Sequence, residues 1–99
     1  MLKKKFFKSI DETEVTFEFA REDVKDVAIA GDFNEWQPQP MKFVKKDNVF
    51  RTRIRLPKNQ DFNFRYLLNE QEWENDYAAD AYIPNPFGTE NSVVCTQPT

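Results

Sequence analysis

Phe50-Arg-Thr-Arg-Ile-Arg-Leu56-Pro-Lys-Asn-Gln60-Asp-Phe-Asn-Phe-Arg-Tyr-Leu-Leu68 decides the fold class. Phe50, Thr52, Ile54 and Leu56 alternate with Arg51, Arg53 and Arg55. Extended chain repeats its side-chain direction every two residues, so the two sets fall on opposite faces of a strand. Pro57-Lys-Asn-Gln60 reads as a turn, after which Phe62, Phe64, Tyr66 and Leu68 alternate with Asn63, Arg65 and Leu67. Two such strands, each with one apolar face, predict antiparallel sheet rather than helix.

The same period extends in both directions. Val15-Thr-Phe17-Glu-Phe19 is a strand with one buried face, and Val27 with Ile29 repeats the pattern after a charged connection. Met41 and Phe43 predict a short strand, Asp47-Asn48 a tight turn, and Ser92–Cys95 a last strand. Asp76–Tyr82 is expected to form one helical turn with Tyr77 over Ala81, and the Lys3–Lys5 and Lys8 cluster a frayed terminus. Short strands punctuated by turns describe an all-β, immunoglobulin-like antiparallel sandwich. Ninety-nine residues hold one such core, so residues 1–99 are expected to be a single domain.

Composition narrows the function. The chain is too short for a catalytic barrel or a doubly wound nucleotide domain. With 14 cationic and 17 anionic side chains the formal charge is 14 − 17 = −3, which argues against nucleic acid and acidic membranes as partners. The absence of histidine removes the commonest general base and the commonest metal ligand. One cysteine, Cys95, cannot form an intramolecular disulfide and reads as a small buried residue of the last strand. No apolar run approaches the roughly 18 residues of a membrane span. The basic start, Met1–Lys8, lacks an apolar segment behind it, so a soluble, cytoplasmic protein is expected.

Two regions depart from ordinary hairpin loops: Ala30-Gly31-Asp-Phe-Asn-Glu-Trp36-Gln-Pro-Gln-Pro40, and the stretch from Trp73 to Asn91. Both glycines, Gly31 and Gly88, and both tryptophans, Trp36 and Trp73, fall there among polar neighbours. The glycines read as positions needing positive φ, and an exposed tryptophan in a loop points to binding.

Val27-Ala-Ile-Ala-Gly31-Asp-Phe-Asn-Glu-Trp36, then Phe64-Arg-Tyr66, Trp73 and Phe87-Gly-Thr-Glu-Asn91 before Val93-Val94, carry a resemblance. In this order they are similar to the starch- and glycogen-binding module of isoamylases and branching enzymes (carbohydrate-binding module family 48). That module also occurs in the β subunit of AMP-activated protein kinase, and the likeness runs from about residue 27 to 94. The resemblance implies an early-set sandwich, without cofactor, metal or catalytic residues, that binds α-1,4-glucan. It implies Trp36 and Trp73 as platforms for glucose rings, Arg65 and Asn91 as hydroxyl partners, Phe87 protruding into the curve of the glucan, and Thr89 beside the sugar. Three features depart from the family pattern: Arg65 stands for lysine, Phe87 for leucine, and Asn69-Glu-Gln-Glu72 for a tighter Asp-Gly turn.

The chemistry agrees with that implication. A pyranose offers axial C–H groups to an aromatic face and hydroxyls around its rim, so an apolar plate edged by donors meets both. Each stack contributes on the order of 1 kcal/mol, which leaves a dissociation constant roughly between ten micromolar and millimolar. Each residue also has a structural alternative: Trp36 and Trp73 as core caps, Arg65 as a solvated or ion-paired side chain, Phe87 as a satellite of the core, Asn91 as a turn cap and Thr89 as a local backbone partner. Arg51, Arg53 and Arg55 read as a solvated strand face. Glu72, Glu74, Asp76 and Asp80 would have to stand about 5–10 Å apart across a cleft to act as a glycosidase pair, and a small sandwich implies no such cleft. The expected function is therefore non-catalytic α-glucan binding. The alternative is a protein-interaction domain that docks on a glucan-metabolising enzyme, or on itself, with sugar binding lost.

Overall fold

In the computed structural model, which describes residues 2–97, the alternation at 50–68 becomes two long strands, and eight others join them. In chain order these are β1 (Leu2–Phe6), β2 (Glu12–Phe19), β3 (Val27–Gly31), β4 (Gln39–Pro40), β5 (Lys42–Val44), β6 (Val49–Pro57), β7 (Asp61–Leu68), β8 (Glu72–Glu74), β9 (Ala81–Pro84) and β10 (Glu90–Cys95). A single 3₁₀ turn, Asp32–Asn34, follows β3. One sheet runs β1-β2-β6-β5; the other runs β4-β3-β7-β10-β9, with β8 also on β7. Every pairing is antiparallel. The first order is the A-B-E-D sheet of an immunoglobulin domain, and β4-β3-β7-β10 supplies its C′-C-F-G sheet. The fold is the immunoglobulin-like antiparallel sandwich expected from the periodicity.

The inward faces meet as the alternation requires. Phe17, Phe64 and Tyr66 are fully buried, and Phe17 meets Phe64 edge-on with ring centroids 5.1 Å apart. Ile29, Val15, Leu68 and Val94 close around them. Fully burying an apolar side chain of this size stabilises by about 1.5–3 kcal/mol, so this layer dominates the favourable term.

Charge is arranged in rows on the outer face of the first sheet. Lys3 and Lys5 lie beside Glu14 and Thr16 of β2, and Glu14, Thr16 and Glu18 lie opposite Arg55, Arg53 and Arg51 of β6. Glu18 accepts a 2.6 Å hydrogen bond from Arg51 Nε and stands 3.4 Å from Lys3 Nζ. Burial pushes the Glu18 carboxyl up, but the hydrogen bond and charge of Arg51, with Lys3 behind them, hold it below the ordinary value. A carboxylate lowered on folding stabilises above its unfolded titration range, and the contribution is lost as pH falls through the lowered value. Urea midpoints of the parent should therefore exceed those of Glu18→Gln at pH 7 and converge on them toward pH 3 (a range about the free carboxylate value). A gap that stays constant over that range would rule Glu18 out as the source.

Five expectations change. The N-terminal lysines are not frayed: Leu2–Phe6 pairs with β2 across five residues, because Leu2, Lys4 and Phe6 alternate with Lys3 and Lys5. Met41 and Phe43 do not share a strand. The chain crosses from one sheet to the other at buried Met41, whose N–H donates to Val27 O at 2.8 Å. Asp76–Tyr82 forms no helical turn: Ala81–Pro84 extends as β9 on β10, and Tyr77 stacks on Phe19 at 6.4 Å rather than over Ala81. Gly31 has φ −170°, extended backbone open to any residue. Its side-chain position is filled instead, since a Cβ there would lie 2.5 Å from Asn63 O and 2.8 Å from Phe64 Cβ. Cys95 is half-buried rather than buried, and burial together with nearby Asp61 pushes its thiol up to about 11, which keeps it protonated at neutral pH. No helix of the described residues is long and apolar enough to cross a membrane.

Candidate functional site: an aromatic groove on the second sheet

Asn63, Arg65 and Leu67 face outward because Phe64, Tyr66 and Leu68 face the core. Register places Trp73 of β8 directly opposite Leu67, on the same outer face. Ser92 of β10 is buried opposite Phe64, so Asn91 also turns outward. Asn63, Arg65, Trp73 and Asn91 form the floor of an open groove of about 760 Å³. Trp36 and the segment 85–89 form its walls, and the exposed lining is mostly apolar.

Trp36 is held by its own loop. After the 3₁₀ turn, Glu35 and Trp36 both take left-handed backbone, φ 56° and 58°, and the Trp36 N–H donates to Gly31 O at 2.9 Å. Asp32 then bridges two elements. Its Oδ1 accepts the indole N–H of Trp36 at 3.0 Å, and its Oδ2 accepts the Asn63 backbone N–H at 2.7 Å. Inside the loop, Asn34 Oδ1 accepts the Gly31 N–H at 2.9 Å and Asn34 Nδ2 donates to Ile29 O at 3.2 Å. The close packing of Gly31 on β7 allows Asp32 to reach that strand.

Trp73 is presented by a three-residue hairpin loop, Asn69–Gln71, between the paired Leu68 and Glu72. Asn69 and Glu70 have φ 51° and 60°, and Gln71 N–H closes the turn on Leu68 O at 3.0 Å. Two positive φ values match the twist of paired strands, and asparagine tolerates that backbone while glutamate does not favour it. The loop is one residue longer than a two-residue Asp-Gly hairpin, and Trp73 still lies in the groove, 41% exposed. Glu70→Gly is expected to raise stability by about 0.5–1 kcal/mol, read as a higher urea midpoint with unchanged slope. An unchanged or lower midpoint would show that Glu70 carries no backbone strain.

Segment 85–89 is organised by one side chain. Asn85-Pro-Phe-Gly88 has the composition of a β-turn, and Gly88 N–H donates to Asn85 O at 3.3 Å. Asn85 Oδ1 accepts the N–H groups of Phe87 and Thr89, at 3.0 and 3.3 Å. Asn85 Nδ2 donates to Thr89 Oγ1 at 2.7 Å and Asn91 Oδ1 at 3.1 Å. Gly88 takes the expected positive φ, 81°. Phe87 stands at the tip, 89% exposed and without a place in the core.

All six residues singled out in the sequence, Trp36, Arg65, Trp73, Phe87, Thr89 and Asn91, line this groove. The sequence reading missed Asp32, Asn63, Asn85 and Pro86, which line it too. Asn63 could have been found two residues before Arg65 on one strand face, and Asn85 from the Asn-Pro-x-Gly turn. Arg65 Nε lies buried without a hydrogen-bond partner, an unmet donor at the groove floor. Of the acidic residues near Trp73, none lines the groove. Glu72 pairs with Arg21 at 3.1 Å, Asp76 is buried and accepts the Tyr66 hydroxyl at 2.6 Å, and Asp80 pairs with Lys4 at 2.7 Å. Glu74 accepts the Asn75 N–H.

No protein-family model and no curated protein matches the sequence. Among solved structures, the chain is similar to the enterobactin esterase FES from Shigella flexneri, crystallised in the presence of 2,3-dihydroxy-N-benzoyl-serine. The TM-score is 0.75 at 14% identity over 99% of this chain, and this chain spans 33% of that one. At that identity the likeness is one of fold.

Proposed function

We propose that this chain is a non-catalytic α-glucan-binding module, resembling the family 48 carbohydrate-binding modules, that holds glycogen, starch or maltooligosaccharides in the groove of Trp36 and Trp73. One observation carries the reading. Six residues from four separate stretches of sequence, each of a type and order resembling a sugar-binding module, line one groove. Trp36 and Trp73 offer aromatic plates for the C–H faces of successive glucose rings. Between them Arg65 brings an unsatisfied N–H and Asn91 an amide whose oxygen is held by Asn85, which leaves its own N–H groups for sugar hydroxyls. Phe87 projects from the rim as an apolar wedge, and Thr89 lies beside it. A cytoplasmic setting suits a chain with one unpaired cysteine.

Titration of intrinsic tryptophan fluorescence with maltoheptaose and β-cyclodextrin should give saturable changes, with dissociation constants between about 10 μM and 1 mM. Cellooligosaccharide, a flat β-linked chain, is the control and should give none. A neutral ligand also makes the affinity nearly independent of salt. Silence toward the α-linked sugars up to about 10 mM would reject glucan binding. The docking-domain alternative would then lead. It draws on the neighbouring esterase, in which this fold makes up a third of a longer chain.

A further inference from the structure

The first sheet ends in an incomplete edge. β6 is nine residues long, but β5 covers only Val49–Arg51 before the chain leaves for the other sheet at Met41. Among the described residues, no strand lies along that side of β6 from Thr52 to Pro57. A notch of about 530 Å³ runs along β5 and its turn, lined by Lys42, Val44, Lys45 and Lys46, and reaches the start of this edge at Thr52 and Arg53. The cations are not matched by acids. Arg53 lies opposite Thr16, where its neighbours Arg51 and Arg55 lie opposite Glu18 and Glu14. The nearby Asp47 carboxylate is taken by Arg51 at 2.9 Å. Phe43 borders the notch 46% exposed, and the whole chain is acidic while this corner is basic.

We propose that this notch receives an extended acidic segment of a partner protein, which adds to the uncovered edge of β6 as a further strand. The main chain of β6 supplies alternate N–H and C=O groups to such a strand, which fixes its direction and register. Acidic side chains at the β5 end of that strand meet Lys42 and Arg53, the cations that border the start of the uncovered edge. Lysines on a sheet edge repel a second copy of the same edge, and the same charges select an acidic strand. A nucleic acid would satisfy the charges but leave the strand edge unpaired.

Fluorescence anisotropy with labelled Val-Glu-Val-Glu-Val-Glu-Val tests this on the full chain. Saturable binding below roughly 1 mM at low salt is expected, weakened at least about tenfold by Lys42→Glu/Arg53→Glu and by Pro-Pro at the centre of the peptide. Circular dichroism confirms that the double variant is folded, and the single substitution Lys42→Glu, expected to weaken binding severalfold, serves if it is not. The proposal is overturned if the peptide does not saturate below that concentration, if the proline peptide binds equally well, or if single-stranded DNA of equal charge binds more tightly.

Discussion

Trp36→Ala/Trp73→Ala should abolish the proposed binding of maltoheptaose and retention on glycogen, with the protein still folded. Each indole removed takes away a stacking surface worth on the order of 1 kcal/mol or more, and together they lower affinity at least about thirtyfold, from weak to undetectable. Stability changes by only about 1–2 kcal/mol, because neither tryptophan belongs to the core cluster. The stability cost comes mainly from Trp36, whose N–H is tied to Asp32. Thermal melts and isothermal titration on the same samples separate the two effects. If the double variant unfolds, the aromatic residues are caps of the sandwich. If it folds and still binds glucan, the groove is not the site.

Gly31→Ala unfolds the sandwich or lowers its melting temperature by roughly 10–25 °C, the equivalent of about 2–4 kcal/mol in a domain of this size. The new methyl group would meet Asn63 O at 2.5 Å and Phe64 Cβ at 2.8 Å, both fixed to the backbone of central strand β7. Neither can rotate away, so β3 and β7 must separate where they pair Gly31 with Phe64. The movement would also pull Asp32 from Asn63 N–H and release the Trp36 anchor. In a destabilised but folded variant, glucan affinity falls with stability. A melting temperature within about 2 °C of the parent would show that the strands part without strain.

Gly31 also marks the boundary of what a sequence discloses. A lone glycine ahead of Asp-Phe-Asn announces an unusual backbone position, but the reason is a contact with β7, more than 30 residues away. No local pattern encodes that contact. The same holds at the N-terminus, where Leu2, Lys4 and Phe6 alternate plainly, yet their lysine content imitates a solvated tail until β2 provides an edge to pair with. At 76–82 the spacing of Tyr77 and Ala81 fits one helical turn. Buried Asp76, bonded to Tyr66, holds 76–80 as a loop, and pairing with β10 extends the chain from Ala81 onward. Short segments carry too little intrinsic preference to resist such tertiary contacts.

The site divides along the same line. Residue types in an order resembling the family 48 modules pointed to Trp36, Arg65, Trp73, Phe87, Thr89 and Asn91 as candidates, since aromatic plates and amide or guanidinium donors are properties of side chains that a sequence displays. Their supports, Asp32 under Trp36 and Asn85 under the 85–89 segment, join parts of the chain by hydrogen bonds that depend on distance and direction. Alternation of apolar and polar residues alone determined the two-sheet architecture and which face of each long strand is buried, because the pleat has a strict period of two. Which strand borders which, where the chain crosses between sheets at Met41, and the meeting of four sequence stretches in one groove were decided only by the tertiary structure. Those arrangements rest on packing and pairing between residues far apart in the chain, and only the folded molecule brings them within reach of one another.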